Sequence, residues 1–206
     1  LVTLHYLLGC LYNDRKDRSI LFWKSMPVSE WQEVLCKLAV AAIAAPLVYV
    51  AVSMVTQVLQ VFLAMLLVWR MDGSATEMVL SRVEFVPLFL NQLGGILVWV
   101  LYSLPVYAWF MLASAAAKRS PFLLAVAIPI GIVIAERLLF GTSYFLYAAG
   151  NHLPRHVDGS DAASMGIYRI GPIWSELNIL SMVLGMAVAA AFLVGAVWLR
   201  KHRFET

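Results

Sequence analysis

Charged side chains are scarce in this sequence: Asp, Glu, Lys and Arg make up 13% of 206 residues, about half the share usual in soluble domains. So few charges cannot solvate an ordinary globular surface, which excludes a soluble fold and points to lipid as the solvent. Cysteine is nearly missing too. Cys10 and Cys36 are the whole complement, too few for a secreted disulfide framework, and reduced thiols are the expectation. The 15 Lys and Arg exceed the 12 acidic residues by three, but they are dispersed over short segments, which argues against a nucleic-acid partner. No GxxxxGK[ST] phosphate loop is present, and no internal repeat or low-complexity tract stands out.

What fills the sequence is apolar: 62% of it, gathered into long runs bounded by charge. Residues 38–69 form the first complete run, interrupted by Pro46, Gln57 and Gln60. As a helix it would be about 48 Å long against a hydrocarbon core of roughly 30 Å, so it must tilt, kink at Pro46 or project into water. Residues 85–117 form the second, with Asn91, Gln92, Gly94 and Gly95 near its start and Pro105 within. Residues 121–145 form the third, in which Glu136 and Arg137 follow 15 apolar positions. Residues 177–199 form the fourth and cleanest, and 146–176 form a connection before it. Unpaired backbone groups are not tolerated in lipid, and the runs lack the alternation of a barrel strand, so each is expected to be helical. The expected fold is an all-α, polytopic integral membrane protein. The opening run, residues 1–12, is too short to cross and lacks the features of a signal peptide, so it is expected to be the end of a truncated span.

Orientation follows from Lys and Arg in the short connections. Arg15, Lys16, Arg18, Lys24, Lys37, Lys118, Arg119, Arg200, Lys201 and Arg203 fall on one side of the four spans, and Arg70, Arg82, Arg155 and Arg169 on the other. The first side is expected to be cytoplasmic and residues 146–176 an outer loop. Trp31 and Trp198 fall at the inner boundary, Trp69 and Trp174 at the outer one, as amphipathic rings prefer. Trp99 and Trp109 lie deeper, as packing residues.

The connection at 13–37, NDRKDRSILFWKSMPVSEWQEVLCK, differs from the others in combining alternating charges with a cluster of large apolar side chains. A short helix there can lie along the membrane surface or insert its aromatics into a groove on a partner. Pro27 breaks it, and Ser29 followed three residues later by Gln32 is a capping-box pattern that starts a new helix leading into the first complete span. From the residues alone, a plain connection anchored in headgroups remains an equal reading.

The string DRKDRSILFWKSMPVSE, placed between the end of one span and the start of the next, resembles the cytoplasmic coupling segment of bacterial ATP-binding-cassette exporter permeases of the type-2 family. The match is dense from Asp14 to Ser29; the Lys118-Arg119-Ser120-Pro121 connection and the basic tail add weaker support. The resemblance implies a six-helix permease of which this chain holds the end of the second helix and helices three to six. It also implies a homodimer in the bacterial inner membrane, driven by a separate ATPase subunit that binds ATP and Mg, with no cofactor in this chain. Asp17, Arg18, Phe22, Trp23, Lys24 and Pro27 would be the ATPase-coupling residues.

Other polar groups have two readings each. Glu136 and Arg137, just inside the outer boundary, are functional candidates by depth; alternatively Arg137 snorkels outward while Glu136 pairs with a neighbour or caps a helix turning back. Gln57, Gln60, Asn91 and Gln92 line a path or bond between helices. Ser181, Gly185 and Ala189, spaced by four, permit close helix approach, in a dimer face or inside the bundle. His152 and His156 have a spacing seen in metal sites, but Pro154 between them disfavours the helix that would align them, and no metal is expected. The competing functions are a membrane anchor or assembly protein, and an intramembrane enzyme using Glu136, which lacks a second catalytic group at its depth. The transported substrate is not encoded in any motif.

Overall fold

The computed structural model describes residues 2–17, 27–152 and 179–202. Among them helix accounts for 88% and no strand occurs. Four helical stretches are long and apolar enough to cross a membrane: Glu30–Arg70, Thr76–Ala116, Pro121–Phe140 and Ile179–His202. The chain is an all-α, multi-pass membrane protein.

In chain order the described elements are α1 (Val2–Cys10), α2 (Tyr12–Lys16), α3 (Glu30–Ala39), a π-helical turn (Val40–Ala44), α4 (Ala45–Arg70), α5 (Ala75–Met78), a 3-10 turn (Leu80–Arg82), α6 (Phe85–Ala116), α7 (Pro121–Phe140), α8 (Tyr144–Asn151) and α9 (Ile179–His202). They divide into two compact units, one built from residues 2–17, 27–44, 99–152 and 179–202, the other from 45–98.

In the first unit, α3 starts where the sequence signals it. The Ser29 hydroxyl accepts the Gln32 N–H at 3.2 Å, and the Gln32 side chain accepts the Ser29 N–H at 2.9 Å, the reciprocal bonds of a capping box. A π-helical turn, Val40–Ala44, lies just ahead of Pro46. Proline offers no N–H to the carbonyl four residues earlier and its ring crowds that carbonyl, which a wider turn just upstream relieves. Leu7, Leu11, Val34, Leu38, Tyr107, Met111, Ala196 and Val197 form the main core, where α1, α3, α6 and α9 converge. A smaller cluster of Leu8, Ala113 and Ala125 joins α1 and α6 to α7. Alanines at these contacts bring the backbones close, the usual basis of helix packing where lipid removes the hydrophobic drive for association.

The third apolar run departs from the expected 121–145 helix. α7 opens on Ser120, whose hydroxyl accepts the Leu123 N–H, with Pro121 at the first helical position. It then runs through Glu136 and Arg137 and stops at Phe140, because Gly141 takes the left-handed conformation, φ 66°, that closes a helix. The shorter α8 follows. Only 6% of the apolar window of α7 is buried within the chain, so its Leu138, Leu139 and Phe140 side chains face outward, as lipid-covered surface must.

The second unit contains α4, α5, the 3-10 turn and the start of α6. Asp72 takes a left-handed φ of 53° in the turn after α4, a conformation aspartate tolerates better than most residues. α5 packs back on α4.

Candidate functional site

The segment singled out in the sequence is described through its two flanks. Asp17 closes α2, is exposed, and donates its N–H to the Asn13 carbonyl at 2.8 Å. Pro27 is exposed, two residues ahead of the Ser29 cap. Arg18, Phe22, Trp23 and Lys24 lie outside the described residues.

Both flanks, α2 and α3, belong to one ionic cluster built on the end of α9. Arg200 is 1% exposed, the largest fully buried side chain of the described core. Its guanidinium directs a different nitrogen at each of three carboxylates: Nε to Glu30 Oε2 at 2.9 Å, Nη1 to Asp14 Oδ2 at 3.2 Å, and Nη2 to Glu33 Oε2 at 2.5 Å. Lys37 closes the circuit. Its Nζ pairs with Asp14, lies 3.2 Å from Glu33 Oε1, and donates to the Cys10 carbonyl at 2.7 Å. Burying a charge is costly unless partners and hydrogen bonds replace water, and here two cations and three carboxylates supply one another. The planar fork of arginine suits this, since its donors point in fixed directions.

α3 is arranged around this cluster. Glu33, Val34 and Leu38 are buried, while Trp31 and Leu35, four residues apart on one face, are 44% and 47% exposed. The inward face of α3 thus carries charge, Glu33, beside core residues Val34 and Leu38, while large apolar side chains lie on its outward face.

A second set of bonds ties the α1–α2 junction to α6. The buried Ser114 hydroxyl donates to the Leu8 carbonyl at 2.6 Å and accepts the N–H groups of Leu11 and Tyr12 at 3.2 and 3.0 Å. Those groups are freed because the helix breaks at Leu11, and one side chain satisfies all three. Arg15 Nη2 donates to the Ser114 and Ala117 carbonyls at 2.7 and 2.9 Å, placing a cation at the C-terminal end of α6, where the helix dipole favours it. The Tyr12 hydroxyl donates to the Arg119 carbonyl at 2.8 Å. α2 is thus bonded to the ends of α6 and α9 together.

None of Asp14, Glu30, Glu33, Lys37 and Arg200 stands out by motif, and sequence reasoning did not single them out as site residues. The Glu33–Lys37 spacing of four is the one local signal. Arg200, followed by Lys201 at the end of an apolar run, reads as part of a solvated basic tail; its burial arises from partners 167 to 186 positions away.

No family model matches the chain, nor does any curated protein or solved structure.

The remaining candidates are dispersed. Glu136 accepts the Thr142 hydroxyl at 2.9 Å and the Tyr144 and Phe145 N–H groups at 2.6 and 2.9 Å, so its carboxylate caps α8. Arg137 is exposed on α7, and its carbonyl accepts the Gly141 N–H. In the second unit Gln92 donates to the Ser53 hydroxyl, Gln57 is half-buried, and Gln60 and Asn91 are exposed. Ser181, Gly185 and Ala189 share the inward side of α9, with Gly185 and Ala189 buried. At Gly185 a Cβ would stand 2.5 Å from His152 Nε2 and 3.1 Å from Pro105 Cγ, so this glycine makes room for the histidine at the end of α8. His152 Nδ1 lies 3.0 Å from the Ala148 carbonyl, and His156 lies outside the described residues.

Proposed function

We propose that the chain is the membrane-spanning permease subunit of a bacterial ATP-binding-cassette exporter, resident in the cytoplasmic membrane with residues 13–37 and the C-terminus on the cytoplasmic side. A separate ATPase subunit binds ATP and Mg and closes on them; the chain contributes no nucleotide chemistry. Two copies pair to enclose the path.

The observation that supports this reading most is the attachment of both flanks of the segment. An idle connection needs only solubility. Here α2 and α3 are bonded by buried ion pairs to α9, and α2 also to α6. A partner that moves residues 13–37 therefore moves helix ends, which is what energy coupling requires. Such a partner shifts the equilibrium only by contacting the segment differently in its two nucleotide states. The resemblance at Asp14 to Ser29 names the partner class, and Asp17, Arg18, Phe22, Trp23, Lys24 and Pro27 supply the contact surface.

The test uses the full-length protein in vesicles with the ATPase subunit that co-purifies with it. Reversing the charges of Asp17 and Arg18 is expected to weaken assembly and to abolish the permease-dependent part of ATP hydrolysis. Unchanged assembly and hydrolysis contradict the coupling assignment. An anchor or assembly protein holds its partner without altering the partner's ATP turnover.

A further inference from the structure

One polar side chain of α9, Arg200, reaches both α2 and α3. Two kinds of contact join α9 to α3. One is apolar: Ala196 and Val197 pack with Val34 and Leu38. Such contacts carry no fixed direction. The other is the Arg200 fork, in which three nitrogens of one rigid plane each engage a carboxylate, two on α3 and one on α2. Charge-assisted bonds of this kind fix direction as well as distance. With Arg200 only 1% exposed, water does not replace a partner that pulls away. Sliding α9 along α3 thus breaks the fork before it breaks the packing.

We propose that Arg200 is the positioning residue that carries displacement of the 13–37 segment into the last membrane helix. This rests on the proposed transporter reading, and it assigns to α9 a driven part in the cycle. Lysine keeps the charge but gathers its three rotatable donors on one nitrogen in place of a rigid fork, so Arg200→Lys separates rigid coupling from electrostatic attraction.

The experiment uses the full-length protein with Cys10→Ser and spin labels at native Cys36 on α3 and at His202→Cys on α9, both exposed positions. Pulsed electron-spin resonance then reads the distance distribution between the two helices. Arg200→Lys is expected to widen that distribution at least twofold, with helicity unchanged, while Lys201→Gln, an exposed neighbour, leaves it as it was. An Arg200→Lys distribution as narrow as the parent's overturns the proposal.

A second arm tests transmission, with labels at Phe122→Cys on α7 paired with either Cys36 or His202→Cys. On adding the ATPase subunit and a non-hydrolysable ATP analogue, both distances are expected to shift in the parent and only the Cys36 distance in Arg200→Lys. Equal shifts of both distances in the variant overturn the role of Arg200. No shift in the parent overturns the transporter reading and its coupling role for Arg200, while a widened Cys36–His202 distribution would still mark Arg200 as the residue that fixes α9 against α3.

Discussion

Glu33 and Arg200 stand 167 positions apart in the sequence, yet the Glu33 carboxylate and the buried Arg200 guanidinium meet at 2.5 Å. That pair joins the start of the long helical stretch Glu30–Arg70 to the end of α9. Its position makes the cluster a structural joint, and the consequences of breaking it differ from those of changing a surface charge.

Replacing Glu33 by leucine leaves Arg200 buried with one acid fewer. Glu30 and Asp14 still neutralise the guanidinium, so the loss is that of a stranded buried donor, about 1–3 kcal/mol, whereas an exposed charge changes stability by roughly 0.5 kcal/mol or less. Thermal unfolding in detergent is therefore expected to show a large loss for Glu33→Leu and almost none for Lys201→Leu. Equal, small losses would mean that the cluster is solvated.

Ser114→Ala removes the donor to Leu8 and the acceptor for the Leu11 and Tyr12 N–H groups, in a place where water does not substitute. The expected loss is about 1–3 kcal/mol, the cost of stranding buried polar groups. Hydrogen exchange should accelerate at Leu11 and Tyr12 specifically. Exchange unchanged at both amides speaks against the seam.

Much of the architecture is legible before any coordinates because lipid imposes a strong rule: long apolar runs must be helical, and charges mark their ends. The capping box at Ser29 and Gln32 is equally legible, being encoded within four residues. The end of α7 is harder to read. Glu136 looks like an interruption because its charge is obvious, while the bonds that let the helix continue come from Thr142, Tyr144 and Phe145 after the turn. Arg200 lies beyond local reading altogether. Nothing in its neighbourhood distinguishes it from Lys201, and only the packing of α3 and α9 encloses one and exposes the other.

At Gly185 the space matters more than the backbone. Gly185→Ala drives a methyl group against His152 and Pro105, and overpacking of this kind costs about 1–3 kcal/mol. His152→Ala in the same chain should recover part of the loss, since the two residues share one contact. A double variant no more stable than Gly185→Ala shows that the histidine is not the obstacle.

Glu136→Leu withdraws the cap of α8, whereas Glu136→Gln keeps one acceptor oxygen. Faster hydrogen exchange at Tyr144 and Phe145 is expected for leucine and a smaller change for glutamine. An intramembrane enzyme would instead lose its activity in both. Exchange that ignores the leucine substitution removes the capping role.

Sidedness tests the account most directly, because an ATPase in the cytoplasm reaches only a segment that faces it. With Cys10 and Cys36 replaced by serine and Asp17→Cys introduced at the exposed end of α2, a membrane-impermeant maleimide should label the protein in inside-out vesicles and leave intact cells unlabelled. Labelling from outside intact cells would contradict the placement of the coupling segment and the motor-driven function built on it.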